Sequence, residues 1–373
     1  MKVVINATNL HVGGGVQVAV SVIDELSRFD AISSRVDILV SEKIDSELTQ
    51  IGCVKSRYRS FQVYNSYGIS CLWSGLRQQL KRYDVVLTIF GPLYQCRMPK
   101  ISIVGFAQAW IIYPENEVQS ALSIFQKIKA RVKFKLQEAF FRRSSAVVVE
   151  LAHVRDMLIR RGIKSGEKVF LAHNCISRIY YEPEFWQPLK HKISRDRFNI
   201  GFLGRNYIHK NTGILPRVRR LLKEQYGLNV EFYVTFNEDE WANTNKEFRH
   251  SVQNLGSLRL AQCPSFYKEM DAVIFPSLLE CFSVTPLEAL ALRKPLFASD
   301  RNFVRDICGD FALYFDPLKP ESIAAVIAIY IQNQVGKDQE RLAAAAEHVK
   351  NFSNARTRAL QYAAILEQYI DKS

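Results

Sequence analysis

The sequence predicts an α/β protein built as two doubly wound parallel-sheet units. Short, continuous apolar runs recur between helical stretches, as strands buried on both faces should. The 373 residues are enough for two cores of ordinary size. Each half also opens on a strand followed by a glycine-containing turn.

In the first half, the runs Lys2–Asn6, Val36–Val40, Val85–Phe90, Ile101–Phe106, Ala146–Val149 and Val169–Ala172 read as strands. Val16–Phe29 reads as an amphipathic helix, with Ala19, Val22, Ile23 and Leu26 on one face. Gly13-Gly14-Gly15 joins the first strand to it, and a glycine turn lets a backbone approach a bound group. The spacing is not the dinucleotide fingerprint, and a plain tight turn is the more frequent explanation of a lone glycine run. In the second half, the strand candidates are Asn199–Gly204, Val230–Phe236, Asn254–Leu258, Ala272–Phe275, Pro295–Ala298 and Ala312–Phe315. Tyr181–Arg197, with Pro183 and Pro188 among mixed charges, reads as the hinge. The expected domains are therefore residues 1–185 and 186–354, with 355–373 forming a last helix.

Composition excludes several classes. Apolar residues make up 48% of the chain and prolines number 12, which argues against long disordered tracts. The first residues carry no apolar signal core, and no run approaches the ~18 apolar residues of a membrane span. Seven scattered cysteines without a C-x-x-C pair suit a reducing cytosol, and no zinc-ligand spacing appears. The net charge is +13. Residues 1–190 hold 26 of the 50 Lys and Arg but only 16 of the 37 Asp and Glu. That excess suits anionic lipid or phosphorylated substrates. No nucleic-acid-binding signature accompanies it.

The densest chemistry lies between Asp271 and Asp300. Pro276-Ser277 stops a strand, and Thr285-Pro286-Leu287-Glu288 reads as a helix start with Thr285 as N-cap and Glu288 completing a capping box. The intervening loop lies at the carboxyl end of a strand, where open α/β sheets bind ligands. Glu280 and Glu288 frame it, eight residues apart. Taken alone, Glu288 could merely cap its helix and Glu280 could be a solvated loop residue. A second motif, Gly204-Arg205-Asn206-Tyr207-Ile208-His209-Lys210, follows the first strand of the second half. Its two bases could be solvated or could grip phosphate. Glu238-Asp239-Glu240 reads as an acidic surface loop rather than a metal site.

Together these stretches resemble glycosyltransferase family 4. PSLLECFSVTPLEALA…KPLFASD is similar to its PS-xx-E-G-F-G-xxxx-E-A segment, GRNYIHK to its G-R-xxxx-K-G, and His173-Asn174-Cys175-Ile176 to its P-N-G-V. Cys281 and Ser283 replace glycines, and Arg293-Lys294 stands where a small residue and glycine are usual. The resemblance covers nearly the whole chain, specifically in the second half and diffusely in the first.

It implies the GT-B fold: two Rossmann-like domains facing a central cleft, with the C-terminal helix crossing back to the first. It also implies a retaining transfer of sugar from a nucleotide-sugar to an acceptor hydroxyl. By residue, it assigns Glu288 to the ribose, Arg205 and Lys210 to the diphosphate, and Glu280 to the donor sugar. The amides of Phe282, Ser283 and Val284 are assigned to phosphates and sugar, and the glycine loop with Gly14 and Gly15 faces the donor phosphates. Family members often carry a His after the strand at Ile101–Phe106. Here Gln108 is the nearest polar candidate, with His11 beside the glycine loop as another. No metal or other cofactor is expected, because Arg205, Lys210 and a helix start can neutralise the diphosphate. A sugar-nucleotide epimerase and a non-catalytic nucleotide-sugar-binding module remain the alternatives.

Ser123–Arg143 is the main basic segment. Phe125, Ile128, Val132, Leu136 and Ala139 recur at helical spacing, with Lys127, Lys129, Arg131, Lys133 and Lys135 on the other faces. This predicts either a surface helix packed by that stripe or a cationic helix lying on anionic lipid headgroups. The second reading gives a cytoplasmic enzyme bound peripherally to the inner face of the membrane, where the family resemblance implies a lipid-linked acceptor of bacterial surface polysaccharide synthesis.

Overall fold

A computed structural model describes residues 1–73 and 75–370. The chain forms two compact units. One comprises residues 1–115, 122–174 and those from 353 onward; the other comprises 116–121 and 175–352. The division falls at Asn174 and Cys175, earlier than the expected 185. Residues 175–185 go with the second unit because Tyr180 is buried there beside the Tyr267 ring, 6.0 Å away.

The first unit holds a seven-stranded sheet in the order β3-β2-β1-β4-β5-β6-β7. These strands are β1 (Val3–Ala7), β2 (Val36–Val40), β3 (Ser60–Val63), β4 (Val85–Thr88), β5 (Ile101–Gly105), β6 (Ala146–Val149) and β7 (Val169–Leu171). Every pairing is parallel. Sequence reading misses β3, because Ser60-Phe61-Gln62-Val63 is a half-exposed edge strand with no continuous apolar run. The helix Gly14–Leu26 begins where Gly13 adopts φ 73°, a conformation that glycine reaches without a Cβ clash. Its buried face meets the last helix, Ala355–Ile370, through Ala359, Tyr362 and Leu366. The C-terminal helix therefore does return to the first unit.

The second unit holds a six-stranded parallel sheet, β10-β9-β8-β11-β12-β13. Its strands are β8 (Phe198–Phe202), β9 (Val230–Val234), β10 (Val252–Asn254), β11 (Ala272–Phe275), β12 (Leu296–Ser299) and β13 (Leu313–Phe315). The strand expected at Asn254–Leu258 starts earlier, directly after the helix Lys246–Ser251. Ile200, Phe202, Phe232, Val234 and Ile274 pack on one face with Val218, Leu222 and Ile327 of the covering helices. Gly201 on the other face admits the helix Cys263–Glu269. A Cβ there would lie 2.7 Å from the Phe266 ring and 2.6 Å from Met270.

The order of strands fixes where a ligand can go. The chain runs outward from β8 to β9 and β10, then resumes at β11 on the other side of β8. Loops after β8 and β11 diverge at that reversal, and the resulting crevice is where open α/β sheets hold ligands.

Candidate functional site

Both sequence motifs fall at this reversal. Arg205 and Lys210 follow β8, while Glu280 follows β11. The first loop is stapled to itself: Asn211 takes the left-handed conformation that asparagine tolerates (φ 56°), and Thr212 Oγ1 donates to Asn206 Oδ1 at 3.0 Å. It is also stapled to its neighbour, because the Leu278 amide donates to the His209 carbonyl at 2.8 Å.

Lys210 and Glu280 meet across this junction at 2.5 Å, both largely buried. The Lys210 ammonium lies 5.2 Å above the Phe275 ring at the end of β11. Ser277 Oγ donates to Glu280 Oε1 at 3.2 Å, and His209 Nε2 stands 3.8 Å from the same oxygen. Burial holds the His209 pKa below its ordinary value, with Lys210 reinforcing the effect and Glu280 opposing it. His209 therefore sits neutral at pH 7.

Arg205 is held differently. Its Nε donates to Glu240 Oε1 at 2.6 Å, and Glu240 also accepts from the amides of Asn206 and Asn237. The expected acidic surface loop is thus a short helix, Glu238–Ala242, closed by an Asn237/Glu240 capping box. Glu240, half-buried, does two jobs, capping that helix and anchoring Arg205. The hydrogen bond to Glu240 raises the Arg205 pKa above its ordinary value.

In the loop 276–284, Leu279 and Cys281 point inward, so Glu280 and the stretch Phe282–Val284 line the half-exposed side. Among the described residues, the non-glycine residues with positive φ are Asn211 and Arg293. Cys281 and Ser283 therefore occupy ordinary backbone, and their replacing glycine strains nothing. Arg293 does occupy a left-handed position (φ 55°), which is a physical reason for glycine being usual near there.

The helix after this loop begins at Thr285, with Val284 before it and no side-chain cap. The expected capping box is absent because Glu288 turns inward instead. Its Oε2 accepts from the Tyr267 hydroxyl at 2.8 Å. Burial pushes the Glu288 pKa up to about 7, against the opposing pull of Tyr267 and then Tyr180. Sequence reasoning missed Tyr267, Tyr180 and Glu240, which no spacing signal links to the motifs because strands and helices intervene. Ser277 lies inside the PS-xx-E segment, where sequence reading sees only a strand stop.

In the first unit, Gly14 and Gly15 form the first turn of the helix Gly14–Leu26. Gln108 precedes the short helix Ala109–Ile112, half-buried and without a side-chain cap bond. His11 is occupied structurally: its Nε2 lies 2.8 Å from the Ser66 carbonyl and its ring stacks on Tyr67 at 4.3 Å. The basic helix runs Ile124–Arg143 and starts with a Ser123/Gln126 capping box. Its packed face is Phe134, Gln137, Phe140 and Phe141, with Phe134 stacked on Trp110. The stripe read from the sequence as either a packing face or a headgroup-lying face is not packed: it is exposed, Phe125 at 85% and Val132 at 64%. Lys129, Arg131, Lys133 and Lys135 are exposed around it, and Lys127 is half-buried. Among the described residues, no helix is long and apolar enough to cross a membrane.

Residues 188–349 match the glycosyl transferases group 1 family. Over 201 residues the chain is 21% identical to the O-antigen chain mannosyltransferase RfbU of Salmonella typhimurium, covering 52% of each protein. The chain thus spans about half the length of that curated relative. Among solved structures, HepE of Anabaena in complex with UDP-glucose is 14% identical with a TM-score of 0.70, over 99% of this chain and 100% of that one. A glycosyltransferase from Rickettsia africae is 15% identical with a TM-score of 0.71, over 100% and 99%. These likenesses establish the fold as GT-B, two Rossmann-like units with parallel sheets.

Proposed function

We propose that this GT-B chain, whose residues 188–349 are a group 1 glycosyltransferase domain, moves a sugar from a nucleotide-sugar to an acceptor hydroxyl with retention at the anomeric carbon. The observation that carries the proposal is the Lys210–Glu280 pair at one strand-order reversal, with Arg205 on the same loop as Lys210 and Glu288 on the helix that follows the Glu280 loop. Two fixed cations there suit a diphosphate. Negative charge grows on that group as it departs, so preorganised cations lower the barrier. Arg205 grips through a planar fork whose Nε is already anchored by Glu240, and Lys210 adds a compact charge. Glu280 orients the donor sugar, and displacement of the Lys210–Glu280 pair by diphosphate accompanies binding. Glu288 receives the ribose hydroxyls. The amides of Phe282, Ser283 and Val284 complete the donor contacts of this unit. These cations do the neutralising work, so the reaction is expected to proceed without a metal cofactor.

The acceptor in this reading is a lipid-linked glycan of bacterial surface polysaccharide, in keeping with the O-antigen mannosyltransferase likeness. The exposed apolar stripe of Ile124–Arg143 and its ring of bases support a protein lying peripherally on the inner face of the cytoplasmic membrane.

The test is transfer. Purified protein is offered UDP-, GDP- and ADP-sugars with polyprenyl-diphosphate-linked acceptors, and product and anomeric configuration are read by mass spectrometry and NMR. Acceptor-dependent nucleotide release with an unchanged anomeric configuration is expected. Release without acceptor points to an epimerase, and tight binding without turnover points to a binding module; either overturns the proposal.

A further inference from the structure

The two carboxylates of the donor site have opposite surroundings. Glu280 is paired with a cation, Lys210, at 2.5 Å. Glu288 has no ion pair among the described residues. It is 5% exposed and faces hydroxyls and a thiol: Tyr267 from the helix Cys263–Glu269, Tyr180 from the turn Arg178–Tyr181, and Cys263. Tyr267 is fully buried, and its helix is fixed by the close approach of Phe266 and Met270 to Gly201. Its hydroxyl donates to Glu288 Oε2 at 2.8 Å.

We propose that Tyr267 is a positioning residue for ribose recognition, holding the Glu288 carboxylate by one oxygen so that it receives a neutral diol rather than a cation. The proposal rests on the reading of Glu288 as the ribose-binding group. A lone carboxylate on a side chain with three torsions would lose rotational freedom on binding. The phenol removes that freedom in advance, and it does so without a positive charge that would compete for the carboxylate. Tyr180 points the same way. Its hydroxyl is buried and without a well-aligned hydrogen-bond partner, although it bears on Glu288. Buried polar groups are rarely left so, and a hydroxyl-bearing ligand beside Glu288 would satisfy it.

For the fold alone, this cluster is a poor choice. A buried acid without a cation is costly, and an apolar pair of similar volume would pack as well.

The test separates recognition of the diol from general integrity. Calorimetry compares UDP, GDP or ADP, whichever binds the parent protein, with its 2′,3′-dideoxy analogue. Tyr267→Phe keeps the ring and removes one hydroxyl. It is expected to weaken ribonucleotide binding about tenfold, the scale of a hydrogen bond to a charged group, and to leave dideoxy binding unchanged. At saturating donor, kcat should stay within twofold. Tyr180→Phe should act in the same direction. Equal loss for both nucleotides, or loss for neither, overturns the proposal. Glu288→Gln provides the control. If it leaves the preference for the diol intact, the ribose assignment of Glu288 has itself failed. If it abolishes the preference while Tyr267→Phe does not, only the positioning role is lost.

Discussion

Glu288→Gln should weaken the donor complex and strengthen the fold, in a way that depends on pH. In the folded chain the Glu288 carboxyl titrates near pH 7, against 4.5 when unperturbed, chiefly because it is buried. Below pH 4.5 it is protonated both folded and unfolded and contributes nothing to pH dependence. Between 4.5 and 7 the unfolded chain releases this proton while the folded chain keeps it, so the parent loses stability as pH rises. The two values lie about 2.5 apart, and at about 1.36 kcal/mol per pH unit the full cost above pH 7 is roughly 3 kcal/mol. Glutamine cannot ionise, yet its carbonyl can still accept from Tyr267. The mutant should therefore match the parent at pH 4.5 and exceed it by up to roughly 3 kcal/mol at pH 8, read by urea unfolding. Glu150, whose carboxyl burial also raises to about 7, is present in both proteins and cancels in the difference. Donor affinity should fall at least tenfold, since hydrogen bonds to charged groups contribute about 1.5–3 kcal/mol. A stability difference that is the same at pH 4.5 and pH 8 would refute the account of the buried acid. Unchanged donor affinity in a folded mutant would refute the functional one.

Other expectations follow from the same contacts. Arg205→Ala and Lys210→Ala should act mainly on turnover, because in the proposed reaction both charges meet the departing diphosphate; rates within twofold of the parent would return them to the surface. Glu240→Gln should lower turnover less than Arg205→Ala, since it loosens the anchor but keeps the charge; an effect larger than that of Arg205→Ala would contradict the anchoring role. Arg293→Gly should raise stability by about 0.5–1 kcal/mol, relief of the left-handed strain outweighing the added freedom of the unfolded chain. A lower unfolding midpoint would speak against strain at that residue. Replacing Lys127, Lys129, Arg131, Lys133 and Lys135 with Gln should release the protein from anionic vesicles in sedimentation, each base contributing about 1 kcal/mol at such a surface. Equal sedimentation of parent and mutant would make the helix an ordinary solvated one.

What could be read from the sequence depended on whether a feature is local. Strands such as β6 and β11 are buried on both faces, so they appear as unbroken apolar runs, whereas β3 at a sheet edge does not. Arg205, Lys210 and Glu280 were legible because each directly follows a strand, and the strand order then brings their loops together. The partners that set their chemistry were not. Tyr267 and Glu288 touch only because β8, β11 and two short helices pack, with Gly201 making the room. Glu240 looked like a surface acid because nothing in its neighbourhood of the chain announces Arg205.

The helix Ile124–Arg143 shows the limit most clearly. It carries two apolar stripes, one through Phe134 and Phe141 and one through Phe125, Ile128 and Val132. Sequence reading picks out only the second and leaves open whether the protein covers it. Only the first packs inward, against Trp110 and the sheet-facing side of its unit. The second remains in water, flanked by bases rather than acids, and an exposed apolar stripe of this size calls for a surface to lie against. A neutral protein partner would gain little from those bases, whereas an anionic bilayer would use both the stripe and the charge. That uncovered face is what the proposed membrane reading rests on, and the vesicle sedimentation above decides it.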